Sequence, residues 1–220
     1  MELIEQEALA DELRLAIAHS PRGLQPRLTS FFAFDQRLAR IIAQTTEPML
    51  AQIRIAWWRD TLTLDPADRP QGDAVLDALG SHWSGSEDSL IELANGWEEM
   101  LAEPPISADV AKRFVASRIA PILVLGALEE GSKAHRSVNA VAQLWAWADL
   151  VLNTTDPDER RAFLAQGLQA AKKSQRLPGQ WRGIAVLGAL ARRSLRKGGQ
   201  PLMEGRGAAL VAFRTGLLGL

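Results

Sequence analysis

The chain has 220 residues, 47% of them hydrophobic and 23% charged, an ordinary globular composition that excludes a disordered or fibrous protein. It contains no cysteine, which excludes disulfides and thiolate zinc sites and allows a reducing compartment. Net charge is −1, yet residues 1–159 carry 13 Lys/Arg against 25 Asp/Glu while residues 160–220 carry 12 against one acid, Glu204.

Taken in chain order, nearly every segment has the 3.6-residue apolar period of a helix, and none alternates with a period of two. A first helix is predicted over 2–19, with Leu3, Leu9, Leu13 and Ile17 on one side; Pro21, Gly23 and Pro26 close it. A second covers about 28–44, beginning near Thr29 or Ser30, and a third about 47–63, with Thr46 as N-cap and Pro48 in the first turn. Asp65-Pro66 through Gly72 form a polar break, followed by helices at about 73–82 and 86–102. Ser107 caps a helix reaching about Glu130, which Pro121 should kink near Ser117. Another spans about 133–153. Asp156-Pro157-Asp158-Glu159 then sets a capping acid, a first-turn proline and negative charge at the start of a helix over 157–175. The last two lie at about 181–197 and 204–218. The expectation is one all-α domain over residues 1–220, a bundle of roughly eight to ten helices.

The N-terminal MELIEQEALADEL lacks the basic start and apolar run of a signal peptide, and the longest apolar stretch, Ile119 to Leu128, is about half a membrane span. A cytoplasmic location is expected. His19, His82 and His135 have no metal-binding spacing, and Gly198-Gly199 and Gly205-x-Gly207 follow no strand, so they read as helix breaks rather than phosphate loops.

Two stretches carry a more specific signal: Phe31-Phe32-Ala33-Phe34-Asp35-Gln36-Arg37-Leu38-Ala39-Arg40, then Glu47-Pro48-Met49-Leu50-Ala51-Gln52-Ile53-Arg54-Ile55-Ala56-Trp57-Trp58-Arg59-Asp60. An aromatic-Ala-Phe helix followed by a helix of the form EPxLxxIRxxWWRD resembles the opening of the squalene/phytoene synthase family. The resemblance is firm over about 28–64 and loose from 105 to 197. It implies a helical bundle of the isoprenoid synthase type around an apolar cavity, in which two prenyl diphosphates are joined head to head. Such chemistry needs magnesium, held by oxygen ligands, to neutralise the departing diphosphate. The family supplies those ligands from two aspartate-rich motifs. Aligned on Phe32-Ala33-Phe34, the first motif falls on Ala39, Arg40 and Ala43; aligned on Gln143-Leu144, the second falls on Leu150 and Thr154, with Ala146 at its usual asparagine. A slip of one residue recovers Asp149 alone. The chain also has no tyrosine, where family members place tyrosines around the diphosphate.

The pattern is closer to a noncatalytic branch of the family, which includes an assembly factor for mitochondrial respiratory complex I and bacterial relatives. The resemblance therefore implies a noncatalytic prenyl-lipid-binding or complex-assembly protein with no catalytic residue, no bound metal and no cofactor. The alternative is an active prenyltransferase with an atypical Mg2+ site drafted from Asp35, Asp60 or Asp149.

Phe34, Arg40, Arg54, Trp57, Trp58, Arg59 and Asp149 are the candidate cavity or anion contacts. Trp57 and Trp58 diverge by about 100°, so either one enters the core while the other packs on a neighbour, or one lines an apolar cavity. Arg54 and Arg59 either grip a diphosphate in bidentate fashion or are paired and solvated. Arg40, at a former ligand position, either replaces the metal by holding a phosphate or acidic partner directly, or bridges to Glu47 or Asp35. Asp149, in VAQLWAWADLVLN, is paired, lies on a narrow polar face, or marks a site. Arg182, Arg192, Arg193, Arg196 and Lys197 form a membrane or partner surface if the 181–197 helix lies on an anionic membrane, its apolar face formed by Trp181, Ile184, Leu187 and Leu195. The plainer reading is a bundle helix with cations at its negative dipole end. Nucleic acid is not expected as a partner, because no binding motif accompanies the charge.

Overall fold

A computed structural model describes residues 9–45, 47–126, 132–173 and 176–218. Among them there is helix and no strand: α1 (Asp11–Ala18), α2 (Gln25–Gln44), α3 (Pro48–Leu62), α4 (Ala74–His82), α5 (Glu87–Glu99), α6 (Ala108–Val124), α7 (Lys133–Asn153), α8 (Pro157–Lys173), α9 (Arg182–Arg196) and α10 (Arg206–Phe213). The chain divides into two compact units. One contains Gly23–Leu125, hence α2 to α6; the other contains Ala10–Arg22 and Gly126–Leu220, hence α1 and α7 to α10.

The first unit is built around the aromatic cluster of α2. Phe31, Phe32 and Phe34 are buried together with Trp83 and Phe114; Phe31 and Phe32 pack at 4.7 Å between ring centroids. Trp83 keeps its indole satisfied by donating to Ser30 Oγ (3.0 Å) and the Arg27 carbonyl (3.2 Å), while the Arg27 guanidinium covers its ring at 4.5 Å. Large rings with one polar edge suit such a site when that edge finds an acceptor. At Gly96 of α5 a Cβ would lie 2.7 Å from Ser117 Cβ, so these two helices meet backbone to side chain.

In the second unit α7 and α9 form the centre, α7 contributing Val138, Val141, Leu144, Trp145 and Trp147 to the core. Two glycines on α9 permit the approach of its neighbours. A Cβ at Gly188 would collide with Val141, and one at Gly183 with the Ala16 carbonyl and Ser20 Oγ of the α1 segment. Arg160 of α8 fastens two helix ends, donating to the Val151 carbonyl (2.6 Å) and to the Gly198 and Gly199 carbonyls (2.9 and 3.0 Å). These carbonyls lack helical partners, and a guanidinium satisfies several at once.

The helix boundaries follow the apolar period with instructive exceptions. α2 begins at Gln25 with Pro26 in its first turn, ahead of the predicted Thr29 or Ser30 start. Both hydroxyls turn back inside the helix, to the Gln25 carbonyl (2.8 Å) and the Pro26 carbonyl (2.9 Å), instead of capping it. Ser107 and Asp156 do cap as read: Ser107 Oγ accepts from Val110 N–H, and Asp156 Oδ1 from Asp158 and Glu159 N–H. The predicted cap Thr46, the 2–8 part of the first helix and residues 127–130 lie outside the described residues, while Leu125 and Gly126 form a turn that ends α6 short of the predicted Glu130. Pro121 lies inside α6, which runs through it to Val124. The final segment is a short α10 followed by a wider π turn over Arg214–Leu218.

Candidate functional site

The tryptophan pair divides as its angular separation requires. Trp58 is 4% exposed and packs on Phe34, itself fully buried, at 5.0 Å between centroids; Trp57 is 45% exposed. The two rings meet edge to face at 5.2 Å. Opposite them, α2 presents Arg37 and Ile41. The Arg37 guanidinium lies 5.8 Å over the Trp58 ring and donates to Asp73 Oδ2 at 3.0 Å. Together Arg37, Ile41, Ile53, Arg54, Trp57 and Trp58 line an open groove of about 400 Å³, within the usual range of small-ligand sites.

α3 is apolar on both sides. Ala51, Ile55, Trp58 and Leu62 enter the core, while Met49, Leu50, Ile53 and Trp57 stand exposed. Arg54 is exposed on the same helix, at the groove. The result is an apolar trough with cations at its edge. Phe34 forms part of the core beneath it, and Arg59 points elsewhere, to Glu98 (2.7 Å) and Asn95 (3.1 Å) on α5.

Asp35, one of the three acids of the alternative Mg2+ site, is 1% exposed. Arg118 of α6 grips it in bidentate fashion, Nε to Oδ1 at 3.0 Å and a terminal nitrogen to Oδ2 at 2.7 Å, and Trp97 Nε1 donates to Oδ1 at 2.8 Å. Arg118 also lies over the rings of Trp97 and Phe114. Both oxygens of Asp35 therefore accept internal hydrogen bonds. Arg40 donates from Nε to the Gln36 carbonyl at 3.3 Å. Asp60 is exposed on α3. Among the described residues no group of three or more His, Asp or Glu is placed to hold a metal ion.

Asp149, in the second unit, is half-buried, and its electrostatic neighbour on α1 is Glu12. Burial raises the Glu12 carboxyl above its ordinary range; a backbone hydrogen bond opposes this, and the charges of Asp149 and Asp11 add to it. The five cations of the α9 segment behave unequally. Arg182, Arg192 and Arg193 are half-buried, Arg196 and Lys197 exposed; burial, then the charge of Arg196, draws Arg192 below its usual value. Arg193 donates to the Glu204 carbonyl at 2.8 Å. The apolar residues Trp181, Ile184, Leu187 and Leu195, expected to face lipid, are buried inside the second unit. α9 packs against α7, α1, α8 and α10, so its apolar stripe serves the core.

Sequence reasoning missed Arg37 and Ile41 as groove residues, and missed Arg118 and Trp97 as the partners of Asp35. A polar residue in the otherwise apolar run RIAPILVLG was the available signal for Arg118. The described residues define an all-α protein with no helix long and apolar enough to cross a membrane. No family model matches the chain, and no curated protein or solved structure matches it significantly.

Proposed function

We propose that the protein is a noncatalytic binder of an anionic amphiphile of the prenyl diphosphate class, using the α2–α3 groove. The observation that carries this reading is the pairing, on one open surface, of Ile41, Ile53 and Trp57 with Arg37 and Arg54. An apolar chain gains by covering such side chains, at about 25 cal/mol per Å², and a diphosphate gains charge-assisted hydrogen bonds from guanidinium groups. The resemblance of residues 31–40 and 47–60 to squalene/phytoene synthases supports the ligand class. The engagement of Asp35 by Arg118 and Trp97, together with Ala39, Arg40 and Ala43 at the first-motif positions, supports binding without turnover.

The test is a titration of farnesyl diphosphate followed by tryptophan fluorescence. Saturable quenching is expected, weakened about tenfold or more by Arg54→Glu, since a charge-assisted contact contributes about 1.5–3 kcal/mol. Equal affinity in wild type and variant overturns the assignment of the groove.

A second reading, docking of an amphipathic helix during assembly of a protein complex, is favoured by one feature. The exposed apolar surface extends past the groove along α3 to Met49 and Leu50, and Leu50, Ile53 and Trp57 have the three-four spacing that receives a partner helix. Leu50→Asp separates the two readings: it leaves farnesyl diphosphate binding unchanged and disrupts a helical partner's seat.

A further inference from the structure

The last helix of the second unit inverts the usual order of burial. Its small residues Ala208, Ala212, Thr215 and Gly216 face inwards, whereas Leu210, Phe213 and Leu217 are each more than half exposed. Large apolar side chains ordinarily occupy the inside. The inward face fits by being small: Gly216 approaches the His19 ring so closely that a Cβ would collide with it. Residues 210, 213 and 217, three and four apart, form one outward stripe.

Cations accompany that stripe. Arg206 and Arg214 are exposed on the same segment, and Arg196 and Lys197 are exposed at the end of α9. Arg193 makes the two helix ends contiguous, lying 3.4 Å from the place of a Cβ on Gly207 and donating to the Glu204 carbonyl. Glu204 is the one acid between residues 160 and 220. Neither α9 nor α10 suffices alone: α9 has the charge with its apolar face buried, and α10 has the exposed apolar groups.

We infer that this corner of the second unit docks on an anionic membrane surface. Leu210, Phe213 and Leu217 enter the boundary between headgroups and acyl chains, and Arg196, Lys197, Arg206 and Arg214 meet the headgroups. An apolar stripe rimmed by one sign of charge is the pattern of a helix lying in the interfacial plane, and basic residues close to an anionic leaflet each strengthen the association. In this arrangement α10 supplies the lipid-facing groups, and the 181–197 helix, whose apolar residues are buried, supplies cations alone.

The absence of cysteine allows a single label. Phe213→Cys, carrying an environment-sensitive nitrobenzoxadiazole group, is mixed with vesicles of phosphatidylglycerol and phosphatidylcholine, and with phosphatidylcholine alone. The expected result is a several-fold rise and blue shift of emission with the anionic vesicles only, reduced by added salt. In cosedimentation with the same vesicles, unlabelled Phe213→Ser/Leu217→Ser and Arg196→Glu/Lys197→Glu/Arg206→Glu variants should each lose about tenfold or more in partitioning. All substituted positions are exposed, so circular dichroism and melting should stay close to those of the parent. The inference is overturned if the label keeps its aqueous emission with anionic vesicles, or if the Phe213→Ser/Leu217→Ser variant cosediments as well as the parent. It is equally overturned if the label is already shielded without vesicles while light scattering reports a dimer, since the stripe then belongs to a second copy.

Discussion

Replacing Asp35 by leucine is expected to weaken the first unit more than any surface change. The substitution removes the contacts to Arg118 at 3.0, 3.2 and 2.7 Å and the indole contact from Trp97 at 2.8 Å. It leaves the Arg118 guanidinium, 5% exposed, without its counter-charge among aromatic rings. Breaking one side of a buried ion pair costs about 3–5 kcal/mol. At about 2–4 °C per kcal/mol for a chain of this size, the melting temperature of the first unit should fall by roughly 6–20 °C. The Asp35→Leu/Arg118→Met double variant removes both charges and should recover most of that loss, because apolar replacement of a whole buried pair is commonly neutral or stabilising. Urea unfolding followed by tryptophan fluorescence, with Trp97 beside the substitution, measures both. A loss under about 1 kcal/mol for the single variant, or a double variant no better than the single, refutes the argument that the pair is a closed internal tie.

Three other outcomes follow from the same geometry. Trp58→Ala should cost about 3–5 kcal/mol in unfolding free energy, whereas Trp57→Ala should change stability by less than about 1 kcal/mol and diminish ligand quenching; equal effects of the two contradict the core-and-groove division. Gly183→Ala drives a Cβ into the Ala16 carbonyl, a backbone atom, and should destabilise the second unit by about 1–3 kcal/mol or more by thermal melting. Glu12 has a raised carboxyl pKa in the folded protein. Its contribution is therefore most favourable when protonated at low pH and is lost as pH rises through the folded value. Glu12→Gln should melt above the parent at pH 7 and converge with it toward pH 4; a uniform shift at both pH values contradicts the assignment.

The all-helical class was legible because the apolar period persists through most of the chain, with Ser107 and Asp156 marking two helix starts by chemistry. The start of α2 was less so: Thr29 and Ser30 are good caps in sequence, but hydroxyls serve equally well bonding back to a preceding turn. The importance of α3 was visible in its tryptophan pair. Which tryptophan would enter the core was not, since a helix apolar on both sides gives no preferred face. Asp35 and Arg118 are 83 positions apart, and nothing local links an acid on one helix to a cation on another. α9 and α10 mislead in opposite senses. A strongly amphipathic basic helix reads as a surface element yet forms the centre of its unit, while α10 hides its exposed stripe behind ordinary apolar composition. In both, the burying neighbour decides, and the period alone does not name it.

The central claim is binding at the α2–α3 groove without turnover. Isothermal titration of farnesyl diphosphate, with and without Mg2+ and with product analysis of the same samples, tests it most directly. The account expects one saturable site, affinity independent of Mg2+, and no pyrophosphate release. Mg2+-dependent binding accompanied by pyrophosphate and a head-to-head product contradicts it.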